Sequence, residues 1–190
     1  LEIDQFNVGS VEVIRGGASF LYGSDAIGGV VNLKAREIPE PNTYGGEVKL
    51  ITKTVNQLYG TSVQVFSRSD VWYFDLRATL QQYGDYKVPA DEVQVYSYKV
   101  PLVNRRLRNT AGLDRNVHFT GGWTRVNFSS TLHITNVFSK AGFFANAHGL
   151  EPRRVDENLH DASSRDIQNP SQQVNHFKAI SNSVFSFENH

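Results

Sequence analysis

The sequence predicts an all-β membrane protein, part of a transmembrane antiparallel β-barrel preceded by a short α+β segment. Three observations carry this. From about residue 44 onward apolar and polar residues alternate with period two in several stretches, as strands with one greasy and one polar face require. The connections between these stretches are short at one end and long at the other. Before them lies a glycine-punctuated segment of different character.

That first segment reads as strand, turn-helix, strand. Ser10 to Ile14 is a short strand, Arg15-Gly16-Gly17 a turn, and Ala18 to Tyr22 about one helical turn ended by Gly23. Ser24-Asp25-Ala26-Ile27 makes another turn, Gly28-Gly29 break it, and Val30 to Leu33 form a second strand. Glycine supplies the positive φ or the close backbone approach that such breaks need. In Ile38-Pro39-Glu40-Pro41-Asn42 two prolines interrupt any ladder or helix. The predicted division is therefore residues 1–37, a linker over 38–43, and strands over 44–190.

The clearest strand sets Trp72, Phe74, Leu76, Ala78 and Leu80 against Tyr73, Asp75, Arg77, Thr79 and Gln81. Glu47 to Thr54 and Thr61 to Arg68 show the same split more weakly. Two more strands follow over Val117–Arg125 and from Phe128 to Phe138, and a sixth, of ambiguous parity, over Val174–Phe187. Arg68-Ser69-Asp70 and Arg125-Val126-Asn127 are tight connections, whereas about 84–116 and 140–173 are long ones. Outer-membrane barrels have this asymmetry, with short periplasmic turns and long extracellular loops. Trp72 and Trp123 stand beside the short turns on the apolar parity, where an aromatic girdle would face lipid. The same parity also fits the core of a soluble β-sandwich, so a soluble binding module stays open at this point.

Composition excludes several classes. Lys plus Arg equal Asp plus Glu at 19 each, so there is no basic surplus for nucleic acid. The chain has no cysteine, hence no disulfide and no thiolate metal site. The six histidines are scattered, without the close pairing of a zinc site. No run approaches the ~20 apolar residues of a membrane helix. There is no nucleophile elbow and no P-loop, since Gly23-Ser24-Asp25 lacks the Gly-Lys-Ser/Thr ending; no enzyme, metal or cofactor is expected. The absence of methionine and the opening Leu1-Glu2-Ile3 lead to the expectation of an internal piece of a longer protein.

The ordered run from Val11 to Asn32, with Ile14-Arg15-Gly16-Gly17 and Tyr22-Gly23-Ser24-Asp25-Ala26-Ile27-Gly28-Gly29 inside it, closely resembles the C-terminal plug segment of TonB-dependent outer-membrane receptors. The resemblance covers about residues 8 to 36. It implies a barrel of about 22 strands around a plugged lumen, in the outer membrane of a Gram-negative bacterium, importing a scarce bulky nutrient with energy relayed by TonB. The implied partners are TonB, through a box upstream of Leu1, a nutrient ligand and outer-membrane lipid. Arg15-Gly16 is similar to siderophore and cobalamin receptors; the SusC-like glycan importers, which usually carry a lysine-aspartate pair there, come second. A third reading is an outer-membrane adhesin or phage receptor without transport.

Candidate site residues follow from this. The resemblance implies that Arg15 pairs with glutamates on the inner wall and that Gly16, Tyr22, Gly23, Asp25, Gly28 and Gly29 form the plug motif. The first long loop offers Tyr86, Tyr96, Tyr98, Arg105, Arg106 and Arg108, and the second Phe143, Phe144, His148, Arg153 and Arg154. Arginines with aromatics suit an anionic, ring-bearing ligand such as a ferric siderophore or another iron complex. Solvated loops anchored to the rim by their aromatics are the plainer reading of the same residues.

Overall fold

The structure, a computed structural model, describes residues 3–16, 22–23, 28–95, 98–144 and 163–187. A 3₁₀ turn over Gln5–Asn7 opens it, capped by Asp4, whose carboxylate accepts from the Phe6 amide at 3.0 Å. Strands β1 (Val8–Arg15) and β2 (Gly29–Ala35) then pair antiparallel, with Val13 opposite Val31 and Arg15 opposite Gly29. Both strands are rich in β-branched residues, which fit a pleated surface. Gly29 has φ +135°, and a Cβ there would stand 2.5 Å from the Ile14 carbonyl oxygen, so the hairpin closes only on glycine. Gly16, at φ +100°, turns the chain out of β1. Of the helical turn expected before Gly23, only Tyr22 is described, and it is exposed. Asp25 lies outside the described residues.

The rest of the chain is a meander of long strands: β3 (Thr43–Lys53), β4 (Leu58–Arg68), β5 (Trp72–Tyr83), β10 (Gly112–Arg125), β11 (Phe128–Gly142) and β12 (Ser171–Phe185). They form one six-stranded antiparallel sheet in chain order. The connection between β5 and β10 holds two small hairpins, β6 (Tyr86–Lys87) with β9 (Arg106–Leu107) and β7 (Glu92–Val95) with β8 (Tyr98–Pro101). The six long strands run 11 to 15 residues, enough for the ~9–11 that cross a bilayer at a tilt. No helix among the described residues is long and apolar enough to cross a membrane.

Two features differ from the sequence expectation. The strands are longer than their alternation: β4 starts at Leu58, β10 at Gly112 and β12 at Ser171, and β11 continues to Gly142. Ladder bonds use backbone N–H and C=O, so glycines and off-pattern polar residues can extend a strand that side-chain parity no longer marks. Second, the end with the long connections also carries one short turn, residues 54–57 between β3 and β4. The linker meets the opposite end, where Asn42 donates to Asp70 in the β4–β5 turn at 2.7 Å and Arg68 donates to the Pro39 carbonyl at 2.6 Å.

The two faces of the sheet are covered unequally, and in an unusual sense. Along β5, Tyr73, Arg77, Thr79 and Gln81 are buried while Trp72, Leu76, Ala78 and Leu80 are exposed. Leu80 is 43% exposed and Arg77 0%. Buried polar side chains on neighbouring strands, among them Ser62, Gln64, Asn116 and His118, share the face of Arg77. A soluble sandwich covers its apolar face, whereas in this sheet the polar face is the one that is covered.

Candidate functional site

The covered polar face is the candidate site, and the strand registers assemble it. One row crosses all six strands: Glu47, Gln64, Arg77, His118, Thr135 and Lys178 stand opposite one another in turn. Arg77 donates to Ser62 Oγ at 2.8 Å, to Glu47 Oε2 at 2.9 Å and to Gln64 Oε1. Thr79 donates to the same Ser62 hydroxyl at 3.0 Å. Breaking a buried ion pair typically costs about 3–5 kcal/mol, because a charge is left without water or partner.

Residues from the N-terminal part lie against this row at two places. At the sheet's first edge, Arg36, just beyond β2, bonds Gln64 Oε1 at 2.7 Å and pairs with Glu47 at 3.2 Å. Near its middle, Asp4 meets His118 Nε2 at 3.2 Å, and Gln5 donates to Gln81 Oε1 at 3.0 Å. Burial pushes the Asp4 carboxyl up. Hydrogen bonds from His118, Thr79 and the Phe6 amide, with the charge of His118, outweigh that and hold it below its ordinary value. His118 Nδ1 lies 3.4 Å from Thr135, and Thr120 lies 3.0 Å from His133 Nδ1, so the contact continues into a polar network on β10 and β11.

Above this contact, toward the long connections, a cavity of about 470 Å³ opens between Ile3 and Gln5 on one side and the upper ends of the strands on the other. Just before β10, Asn109 is fully buried at φ 59°, a left-handed conformation that asparagine tolerates. Asn109 Nδ2 donates to the carbonyls of Phe143 at 3.0 Å and Pro170 at 2.8 Å, and its Oδ1 accepts from the Gln168 amide at 2.8 Å. The first long connection thereby clamps the neck of the second. Just before Gln168 the chain reaches back to the 54–57 turn, where Arg165 lies 4.8 Å from the Tyr59 ring centroid and donates to the Gln57 carbonyl at 2.7 Å.

The residues singled out from sequence are placed as follows. Arg15 ends β1 exposed, with no ion pair among the described residues. Arg105 is exposed and held by Asp91 through contacts of 2.7 and 3.3 Å; the pairing lowers the Asp91 pKa and raises that of Arg105. Arg106 donates to the Asp85 carbonyl at 3.1 Å. Phe143 and Phe144 stand half-buried at the neck, whereas Tyr96, His148, Arg153 and Arg154 lie outside the described residues. Trp72 and Trp123 are direct cross-strand partners, 49% and 52% exposed on the apolar face. Trp72 stacks with Phe74 at 6.1 Å, and Phe128 and Phe185 extend the aromatic cluster along the same end.

Sequence reasoning missed Arg77, Glu47, Arg36, Asp4 and His118. A signal existed for Arg77 and Glu47, whose charges sit on the polar parity of their strands. Nothing local marks Asp4, His118 or Asn109, whose partners are 114, 34 and 61 residues distant. Comparison with curated proteins gives no match to this chain, and comparison with solved structures gives none. A family model, the TonB-dependent Receptor Plug Domain, matches residues 1–30. Those residues include Asp4 and Gln5, which touch the polar face, and the whole of β1. The segment that lies against the sheet's buried polar face is thus similar to the plug domain of TonB-dependent receptors, which is consistent with a fragment of such a receptor.

Proposed function

We propose that this chain is part of an outer-membrane importer that captures a scarce bulky nutrient at its long-loop end and passes it inward when TonB remodels the plug. The plug family implies TonB-dependent transport of some nutrient and points to a transporter rather than an enzyme. The observation that carries the rest is the docking of the plug segment on the polar face of a sheet whose apolar face is bare. A lumen filled by a plug and a wall facing lipid need that arrangement. TonB would act through a segment outside this chain, by strand addition, and bound ligand would bias the plug between its states. Arg15, with Tyr22, Asp25 and the motif glycines, would mark the part of the plug that moves, and Trp72 and Trp123 would lie at the periplasmic lipid boundary.

For the cargo, a ferric siderophore or other iron complex is the reading the loop arginines and aromatics support. Arg105 and Arg106 already have internal partners, so that support rests on Phe143, Phe144 and loop residues beyond the described set. A strain lacking the complete receptor is tested for growth on defined iron, haem, cobalamin and oligosaccharide sources, with and without TonB. One source is expected to require both; indifference to every source sinks the import reading.

A further inference from the structure

We infer that Asn109 is a positioning residue for capture: its side chain fixes Phe143 against the first long connection, so that this connection and both ends of the second respond to a guest as one body. The inference rests on the import reading and deepens it at the loop end. Asn109 is 0% exposed. Its amide has two hydrogens and one oxygen to place, and all three cross from the first connection to the second. Nδ2 donates to the carbonyls of Phe143 and Pro170, and Oδ1 accepts from the Gln168 amide. Phe143 in turn donates its own amide to the Pro170 carbonyl at 3.0 Å. The start and the end of the second connection are thus held to each other and to one side chain of the first.

The first connection is a firm mount for that side chain. Asp85, 2% exposed, accepts from the Thr110 amide at 2.7 Å, next to Asn109, and its own amide donates to the Ser164 carbonyl at 2.7 Å. Gly84 donates to the Asn56 carbonyl at 2.8 Å, which adds the 54–57 turn to the joint. Two details make the joint specific to its residues. A Cβ on Gly142 would stand 2.2 Å from Asn109 Oδ1 and 2.6 Å from the Asn109 carbonyl oxygen, so glycine there is what admits the asparagine. Aspartate shares the tolerance of asparagine for the left-handed backbone but, when ionised, has no hydrogen to give either carbonyl. The ladder of β11 ends at Gly142, so Phe143 and Phe144, the aromatics on which the cargo reading leans, take their place from this joint.

Amide exchange of the full-length receptor in detergent, read by mass spectrometry, tests the joint, and uptake by cells tests its role. In Asn109→Asp and Asn109→Gly the amides of 143–144 and 168–170 should exchange at least about tenfold faster than in the parent, while β5 and β10 keep their protection. Gly142→Ala removes no hydrogen-bonding group yet should do the same by displacing Asn109, and it serves if the Asn109 variants fail to assemble. Uptake is measured on ferric tris-catecholate, haem, cyanocobalamin and maltoheptaose. For the probe that the parent imports, the half-saturating concentration should rise about tenfold in these variants and the maximal rate stay within about twofold, since capture is loosened and the plug step is untouched. Unchanged exchange, faster exchange with unchanged half-saturation, or a fall in maximal rate alone overturns the inference and leaves import standing. Uptake of none of the four probes by the parent removes the import reading, and the positioning role falls with it even where the exchange result holds.

Discussion

The two faces of the six-stranded sheet are made by the same strands and differ only in residue parity, yet they are stabilised by opposite means. On one face Arg77, Gln64, Ser62 and His118 are buried and joined by hydrogen bonds among themselves and to the plug segment. On the other, Leu76, Leu80, Val63, Val65 and Val117 stand bare. In water this would be backwards, since burial of apolar area is the main favourable term and burial of polar groups a cost. In a bilayer the apolar face needs no protein cover, and the polar face becomes the one that must be filled and satisfied. The comparison teaches that the plug segment is to this sheet what a hydrophobic core is to a soluble one.

The sharpest way to break that comparison is at Arg77. Arg77→Ala strips the pair with Glu47 and removes one hydrogen bond each from Ser62 and Gln64, which keep Thr79 and Arg36. It should cost about 3 kcal/mol in urea unfolding from lipid vesicles, at the low end for a broken buried pair because Glu47 keeps Arg36 and Lys49. A loss within experimental error would mean that the polar face is not a structural core. On the opposite face, Leu76→Arg should cost about 2–3 kcal/mol in the same measurement if Leu76 faces the bilayer interior. An exposed leucine in water would accept arginine with almost no loss, so a neutral result removes the membrane reading.

Asp4→Asn tests the plug contact and should have a smaller effect, about 1 kcal/mol, seen as earlier proteolysis of the N-terminal segment while the sheet stays intact. The pH dependence has a definite sign. Because the Asp4 carboxyl is held below its ordinary value in the folded chain, its stabilisation is complete above the unfolded pKa and is lost as pH falls through the folded one. Protection of the segment should therefore decline as the pH falls into the acid range, and the Asp4→Asn variant should lack that decline. At the bottom of the scale, Arg105→Ala breaks an exposed pair with Asp91 and should leave unfolding unchanged. A measurable loss there would show that the outer hairpins contribute to the fold.

Legibility followed the range over which each feature is specified. Parity in β5 was plain because its apolar and polar residues alternate through Gln81, and the glycine breaks were plain because positive φ leaves glycine almost alone at Gly16 and Gly29. Strand ends were not, since Gly112 to Asn116 and Gln172 to Lys178 pair through backbone groups without a side-chain pattern. The arginine that sequence drew attention to was Arg15, yet the buried, carboxylate-paired arginine among the described residues is Arg77. A mid-strand arginine on the polar parity reads equally as solvated until a covering segment is known.

By itself the sequence determined the period-two strands, the tight turns at one end and the glycine-marked hairpin before them, because backbone sterics and side-chain alternation act over a few residues. Only the tertiary structure decided which face of the sheet is covered. That outcome depends on Asp4 reaching His118 and Arg36 reaching Glu47, contacts between segments far apart in the chain. Alternation fixes that two faces differ, but what lies against each is set by the rest of the chain and by the solvent around it.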